Sequence, residues 1–314
     1  MVCVLLWSQY RTHGAWVPTL MLSPIQPADF TVVRKQFATR TRAFSEYNQV
    51  FQHVSEKLMD RLELLAVVPN RILDVGCRNG FQLAVLENRF GSATVTGIDP
   101  YPTVPASAKG TRWWRKGIKA PAMAAADPHT LPFADDTFDL IVSNLLLPWC
   151  YDPARVFAEV ARVLRVDGAF LFTTAGPDTL IEYAQEWSKI DRHQHVFGLE
   201  DMHQTGDALL HAGFAAPVLD RENITIDYPS IDALQNEMQH LGAGNIAVGR
   251  RAGLMSAGVR KKLRDNVHPG RFEVTLELVH GHAWKGELSK QRKNTNDEVS
   301  VSLDSLRRSL RSGQ

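Results

Sequence analysis

Three carboxylates stand at or near the ends of candidate β-strands, where ligands of open α/β sheets bind. Asp74 lies in the first apolar run, Asp99 closes the second, and Asp127 follows a weaker third run. A carboxylate after the second strand can accept hydrogen bonds from both ribose hydroxyls, and one after the third can accept a bond from an adenine amino group. The pattern predicts an adenosine pocket. The alternative is that Asp99 and Asp127 only begin turns before Pro100 and Pro128.

A glycine-containing turn follows the first run and completes the predicted pocket. Gly76, Cys77 and Gly80 are its candidate cofactor-binding residues, because glycine lets the backbone come close to a ligand. We expect Cys77 to act as a small packing residue, since nothing near it marks a reactive thiolate. Arg78 occupies the middle position, which is usually glycine, and its side chain could obstruct a ligand. A side chain that points to solvent, or a guanidinium that pairs with a carboxylate of the cofactor, would each allow binding despite it.

The elements that must position these residues alternate between strand-like and helix-like patterns. This alternation predicts an α/β fold with a doubly wound, seven-stranded, mostly parallel sheet, preceded by N-terminal helices and followed by a C-terminal cap and tail. We expect one or two leading helices over 31–65, on the cofactor side of the sheet. The predicted strands are 71–75, 94–98, 119–124, 138–143, 168–174, 223–227 and 271–280. Apolar and polar residues alternate over 271–280, which predicts a reversed last strand near a sheet edge with one face less buried. The predicted helices between them are 80–90, 153–164, 178–190, 203–212 and 230–241.

Composition limits the classes of protein and partner. The chain has 314 residues, is 44% hydrophobic and carries a formal charge of +1, so no global field attracts nucleic acid or an anionic membrane. Three scattered cysteines fit a reducing compartment, do not have metal-binding spacing, and favour a cytoplasmic protein. We expect a poorly ordered extension over 1–29, one α/β domain with substrate-capping helices over 30–288, and a disordered polar tail over 289–314.

Several separated segments resemble one family. They are LDVGC at 73–77, LPFADDTFD at 131–139, SNLLLPW at 143–149, FTTAGPDTL at 172–180, GDALLHAGF at 206–214 and GHAW at 281–284. The first two are widespread among methyltransferases, whereas the Asn-Leu…Pro-Trp, Gly-Pro-Asp-Thr-Leu and Gly-His-Ala-Trp segments are more specific. From about Phe37 to Lys285 the chain resembles the BioC family, S-adenosylmethionine-dependent O-methyltransferases that act on malonyl-acyl carrier protein in biotin synthesis.

The resemblance implies roles for individual residues, with S-adenosyl-L-methionine as the cofactor. Asp74 and Gly76 would line its methionine end, Asp99 would hold the ribose and Asp127 the adenine edge. Ser143, which we count among the cofactor-binding residues, and Asn144 would face the methyl-transfer centre at the end of the fourth strand.

The candidate catalytic residues that the resemblance implies are Asn144, Tyr47 on the leading helices, and His195 after the fifth strand. Tyr47 and His195 match family positions near the substrate. For His195 an alternative is open, because the polar loop around His193 and His195 also suits a solvated histidine without a role.

The implied chemistry needs few catalytic groups. A malonyl carboxylate is already anionic at neutral pH, so its methylation needs alignment and exclusion of water, not a general base. An arginine would anchor that carboxylate, and spacing alone does not decide between Arg34, Arg40, Arg42 and Arg250.

The partner that the resemblance implies is an acidic acyl carrier protein bearing the malonyl group. Two basic clusters could dock it, one at 34–42 and one at 250–264, although each also suits a solvated helix face.

Three other functions stay open. The fold could have lost catalysis and act as a binding or assembly protein, which Arg78 motivates. It could methylate another substrate, since mitochondrial complex I assembly factors also resemble this family. A dehydrogenase is the weakest alternative, because the turn lacks the Gly-x-Gly-x-x-Gly spacing that cradles a pyrophosphate.

Overall fold

Apolar strands form one mixed sheet in the computed structural model of the protein, which describes residues 29–40, 47–65, 67–100, 122–251, 253, 255–267 and 270–286. The strands are β1 (Arg71–Val75), β2 (Thr94–Asp99), β3 (Ala122–Ala125), β4 (Phe138–Asn144), β5 (Leu164–Ala175), β6 (Phe214–Tyr228) and β7 (Phe272–Lys285). Their order is β3-β2-β1-β4-β5-β7-β6, and β7 runs antiparallel to both neighbours. The predicted seven-stranded sheet with a reversed last strand is confirmed.

Helices surround the sheet, and four of those in the described residues begin at a side chain that caps their free N–H groups. They are α1 (Phe30–Arg40), α2 (Gln49–Glu63), α3 (Phe81–Arg89), α4 (Pro153–Val163), α5 (Ile181–Ser188), α6 (Met202–His211), α7 (Ile231–Leu241) and α8 (Ala257–Asn266). Asp152 caps α4 ahead of a proline, and Asp201 forms a capping box with Gln204 at α6. Ser230 and Ser256 cap α7 and α8. None of the helices in the described ranges is long and apolar enough to cross a membrane.

The core lies on both faces of the sheet. On one face Leu58 of α2 and Leu83 of α3 belong to the same buried cluster as Ile72 of β1. On the other face the ring of Phe157 in α4 packs against Phe170 of β5. Both faces are covered because the central parallel strands are apolar on both sides, which is the doubly wound arrangement that the sequence predicts.

A third buried cluster joins the far ends of β6 and β7 to helices α5, α7 and α8. It contains Tyr183, Trp187, Leu234, Leu263 and Phe272. This layer is the predicted cap, although α8 was not predicted as an element. The basic composition of α8 leaves only Leu263 buried, so its periodicity is weak.

One buried carboxylate connects the sheet to this cap. Glu277 of β7 accepts a hydrogen bond from the backbone N–H of Asp178 (2.7 Å) and one from the guanidinium of Arg221 (3.1 Å). The backbone N–H of Leu180 in the same loop donates to the carbonyl of Thr275 (2.7 Å). The Gly-Pro-Asp-Thr-Leu loop between β5 and α5 is therefore held by β7, which begins almost a hundred residues later in the chain.

Two strands are longer than predicted. β6 starts at Phe214 and not at residue 223, because it pairs with β7 along nearly its whole length despite a bulge between Ala215 and Val218. β7 shows the expected alternation only near its start, and residues 276–281 are all buried. β6 and not β7 is the edge strand, and both faces of β7 are covered. Leu276 and Leu278 pack with Val54 of α2 on one face, and Glu277 bonds the loop before α5 on the other.

The segments expected to be disordered, 1–29 and 289–314, lie outside the described residues apart from Asp29. That residue is anchored: its carboxylate pairs with Arg250 (2.7 Å), and its backbone N–H donates to the carbonyl of Ile246 (2.6 Å).

Gly281 tests how closely β5 and β7 pack. It pairs with Phe172, whose ring occupies the space that a Cβ at residue 281 would need. We expect Gly281→Ala to lower the free energy of unfolding by about 1–3 kcal/mol, because the ring must leave a well-packed position. Urea denaturation measures this change. The matched control is Gly258→Ala in α8, where a Cβ has open space. This substitution should change the free energy of unfolding by at most about 1 kcal/mol. Equal effects of the two variants would contradict this account of the packing.

Candidate functional site

The carboxyl ends of β1, β2 and β4 meet at one edge of the sheet. Val75 pairs in register with Ile98, and the N–H groups of Gly76 and Cys77 both donate to the carbonyl of Ile98 (2.8 and 2.9 Å). Gly76 has φ +87, and a Cβ there would lie 3.0 Å from that of Leu146. Only glycine suits this turn, which leaves the strand ends open to a ligand.

Asp74 is the most perturbed acid at this edge. It is 1% exposed, and burial, together with the nearby charge of Asp99, raises the pKa of its carboxyl to about 8. Its Oδ1 accepts a bond from the amide of Gln82 (3.3 Å), whereas its buried Oδ2 has no hydrogen-bond partner. A buried acceptor without a partner is costly, so this atom is ready to accept a bond from a ligand.

Asp99 and Asp127 differ in what their carboxylates contact. Asp99 is buried, and its Oδ2 accepts a bond from the backbone N–H of Arg78 (3.0 Å), which ties the end of β2 to the turn. The side chain of Asp127 is 56% exposed, and its Oδ1 accepts bonds from the backbone N–H (2.9 Å) and Nδ1 (2.6 Å) of His129. Burial raises the pKa of Asp127, but these bonds outweigh it and the net shift is downward. The carboxylate of Asp127 therefore stabilises a local turn, whereas the carboxylate of Asp99 bonds the glycine turn that follows β1.

The side chain of Arg78 crosses the site and does not point to solvent. Its guanidinium lies 4.2 Å from the ring centroid of Phe37 in α1 and donates to the carbonyl of Leu241 at the end of α7 (3.0 Å). Its backbone adopts φ +49, a left-handed conformation that disfavours residues with a side chain. These contacts connect the glycine turn to helices that lie above the strand ends.

Cys77 and Gly80 serve the shape of the turn. Cys77 is buried, and burial raises the pKa of its thiol far above the ordinary range, with the charges of Asp74 and Asp99 adding to the effect. It is therefore a packing residue, as expected. Gly80 has φ +78 and begins α3, and a Cβ there would lie 3.0 Å from the sulfur of Met123.

Ser143 and Asn144 end β4 with their polar atoms already bonded. The hydroxyl of Ser143 donates to the carbonyl of Val75 (2.9 Å). The amide of Asn144 donates to the carbonyl of Phe51 in α2 (3.0 Å), and its oxygen accepts from the hydroxyl of Thr173 (2.9 Å). Asn144 thereby fixes α2 above the strand ends, as the sequence predicts for the leading helices.

Two cavities meet beneath these helices. The strand-end cavity is lined by Phe37, Phe51, Gly76, Arg78, Asp99, Pro100, Asn144, Leu145, Leu146 and Trp149. The apolar cavity, with a volume of ≈ 160 Å³, shares the wall residues Phe51, Leu145 and Trp149 with it. Its other walls come mainly from β6, β7, α7 and the loop before α6. A ligand in the apolar cavity would therefore lie beside one bound at the strand ends.

His195 and Tyr47 lie farther from the three acids. His195 is buried and not solvated: its Nε2 lies 2.9 Å from Asp191, and its ring stacks on Trp187 at 3.7 Å. Burial lowers its pKa despite that carboxylate. It lines the apolar cavity. Tyr47 precedes α2 instead of lying on a helix, and its ring stacks on His240 at 4.4 Å.

Sequence reasoning missed the residues that hold this site in place. Gln82, Thr173, Trp187 and Asp191 each contact a predicted site residue. Only Asp191 left a local signal, as an acid four residues before His195. The other contacts join separate elements, so no short sequence pattern marks them.

The fold and the site define a class. Residues 73–172 match the family model described as a methyltransferase domain. Among solved structures, the YcgJ protein from Bacillus subtilis aligns with a TM-score of 0.52 at 18% identity, covering 74% of this chain and 99% of that one. A putative methyltransferase from Bacillus halodurans aligns with a TM-score of 0.53 at 16% identity, covering 74% and 100%. The chain has the methyltransferase fold.

Sequence relatives identify the family. A malonyl-[acyl-carrier protein] O-methyltransferase from Laribacter hongkongensis is 36% identical over 274 residues, which is 84% of this chain and 92% of that protein. One of the same name from Halorhodospira halophila is 33% identical over 292 residues, covering 91% and 98%. The chain belongs to the malonyl-[acyl-carrier protein] O-methyltransferase family.

Asp74 gives the fold a testable pH dependence. Its folded pKa of about 8 lies above the ordinary value of 3.8, so the folded state holds the extra proton between these values and stability falls as pH rises. Asp74→Asn removes this titration. We expect the variant's advantage in free energy of unfolding over the wild type to grow between pH 4 and 8, by at most about 1.4 kcal/mol per pH unit. Urea denaturation across this range is the measurement, and a difference that does not vary with pH would contradict the assignment.

Proposed function

We propose that this protein transfers a methyl group from S-adenosylmethionine to the free carboxylate of a malonyl group held as a thioester on an acyl carrier protein, in biotin synthesis. The observation that carries the proposal is the likeness to malonyl-[acyl-carrier protein] O-methyltransferases over nearly the whole of both chains. The acids at the strand ends support it, because the fold could have been kept without them.

The hydrogen-bonding groups at the strand ends match those of this cofactor. The unpartnered Oδ2 of Asp74 can accept a bond from the ammonium group at the methionine end, which would also favour the ionised form of that carboxyl. Asp99 is the candidate for the ribose hydroxyls and Asp127 for the adenine amino group. Gly76, Cys77 and Gly80 would form the backbone floor, and Ser143 would keep β1 and β4 together beneath it.

The residues of the chain then have to align a carboxylate and exclude water. When bound, S-adenosylmethionine supplies an electrophilic methyl group on a sulfonium. The acceptor oxygen is already anionic, so no side chain has to remove a proton. Alignment of two reactants in this way can supply about 7–11 kcal/mol of the barrier. Phe51, Leu145 and Trp149 form the dry wall between the two cavities where this alignment would take place.

We assign the anchor of the substrate carboxylate to Arg78. Arg250, one of the sequence candidates, already bonds Asp29, while Arg42 and the side chains of Arg34 and Arg40 lie outside the described part of the chain. Among the described residues that line the strand-end and apolar cavities, Arg78 is the sole lysine or arginine. Its planar guanidinium carries five N–H donors, so it can bond a carboxylate in addition to the carbonyl of Leu241.

The three candidate catalytic residues receive positioning roles. Asn144 holds α2 over the site through the carbonyl of Phe51. Tyr47 would orient α7 through its stacking on His240 and a weak bond from the amide of Asn236 (3.4 Å). His195 would present a neutral imidazole to the apolar cavity, because burial lowers its pKa. Methylation would then cancel the terminal charge and leave a neutral ester suited to apolar surroundings.

A transfer assay tests the proposal. Labelled S-adenosylmethionine and malonyl-carrier protein should yield a base-labile methyl ester, while acetyl-carrier protein, which lacks the free carboxylate, should yield none. Asp99→Asn should weaken cofactor binding by about tenfold or more, since a charged acceptor is lost. Arg78→Met should raise KM for the malonyl substrate by about tenfold with little change in cofactor Kd, as expected for a lost charge-assisted hydrogen bond.

Each negative outcome has its own meaning. Cofactor binding without methyl transfer would indicate a methyltransferase for another substrate. Absence of binding at millimolar cofactor would favour a binding or assembly protein. If Arg78→Met weakens cofactor binding and leaves KM for the malonyl substrate unchanged, the guanidinium binds the carboxylate of the cofactor and not that of the substrate.

A further inference from the structure

Three exposed cations lie on α8 of the cap or shortly before it, and within the described part of the chain none of them has an acidic partner. They are Arg251, Arg260 and Lys262, here called the basic patch, and no described carboxylate lies within salt-bridge distance of any of them. Their neighbours Lys261 and Arg264 are paired, with Asp265 and Asp232 respectively. The patch therefore keeps an uncompensated positive charge on a protein whose formal net charge is only +1.

The basic patch borders the mouth of a further cavity. This polar cavity, with a volume of ≈ 410 Å³, is lined by Arg251 and Arg260 and also by Asp191 and the buried His195. The remaining lining includes polar side chains of α7, among them Gln235, Asn236 and Gln239. Its volume suits an extended chain, and its lining is mixed, because Trp187, Met238 and Met255 also belong to it.

The polar cavity adjoins the apolar cavity. Both are lined by His195, Met238, Gly244 and Asn245. The apolar cavity in turn shares a wall with the strand-end cavity that contains Asp99. The three cavities form a series that leads from the exposed cations to the predicted cofactor site.

We propose that the basic patch is the docking surface for an acidic carrier protein, and that the arm bearing the thioester enters through the polar cavity. This inference rests on the proposed function. An acceptor attached to another protein must reach the buried strand ends on a long, flexible arm, so the docking surface has to lie at the outer end of such a series. Positive charge there would favour the acidic carrier and steer its approach.

The shape of the series also fits the chemistry of the arm. A phosphate-bearing polar segment suits the mouth, where two arginines stand, and the less polar acyl end suits the apolar walls farther in. Met238 lines both cavities and has a flexible side chain that can adapt to a passing chain.

The test measures carrier binding and methyl transfer separately. In the full-length protein, the double variant Arg260→Glu with Lys262→Glu should bind malonyl-carrier protein at least tenfold more weakly and show a comparable rise in KM. Malonyl-coenzyme A presents a similar arm without the protein, so its KM should rise less than that of malonyl-carrier protein, by the part that Arg260 contributes at the cavity mouth. Both positions are exposed, so urea denaturation should find the fold unchanged.

A matched control is Arg89→Glu at the end of α3, an exposed cation paired with Glu63 and far from the cap. It should leave carrier binding unchanged. Lys35→Glu in α1 tests the other basic cluster. Carrier binding lost in Lys35→Glu but kept in the double variant would overturn the proposal, and so would a wild-type protein that does not bind the carrier.

Binding distinguishes this inference from the proposed function. A wild-type protein that binds the carrier through the basic patch but transfers no methyl group would refute the activity and keep the docking surface. If the double variant methylates the carrier substrate with the wild-type KM, the proposed activity is retained and the docking surface is refuted.

Discussion

A buried carboxylate beside a second acid is the constraint on which the site depends. Asp74 lies inside β1, out of contact with water, and one of its oxygens has no partner. Burial makes the charged form unfavourable, so the carboxyl favours its protonated form. A cationic ligand group reverses that preference. The fold thus retains a buried acid that lowers its stability, at a position where a positively charged ligand group would offset that cost.

A few long-range contacts hold the roof of the site over this acid. Asn144 joins the end of β4 to α2, and Arg78 joins the glycine turn to α1 and α7. Glu277 fixes the loop that leads into the cap. These contacts are made by polar side chains with defined bonding directions, so they set the orientation of the helices more narrowly than apolar packing alone.

Arg78 illustrates how a departure from a common pattern can be accommodated. Judged from the turn alone, a large side chain in place of glycine is an obstruction, and its positive φ costs energy. In the fold the side chain leaves the turn toward aromatic rings and a helix carbonyl. The side chain thus connects the glycine turn to the helices above it, and it places a cation in the lining of the strand-end cavity.

The sequence by itself determined the strands, most helices and the places of Asp74, Asp99 and Gly76, because hydrophobic period and turn residues are local properties. It also determined the family, through segments shared along the whole chain. Only the tertiary structure decided that His195 is buried, that β7 is covered on both sides, and where Arg78 points. Those features depend on contacts between elements that are distant in sequence, and local sequence patterns do not predict which elements will pack against each other.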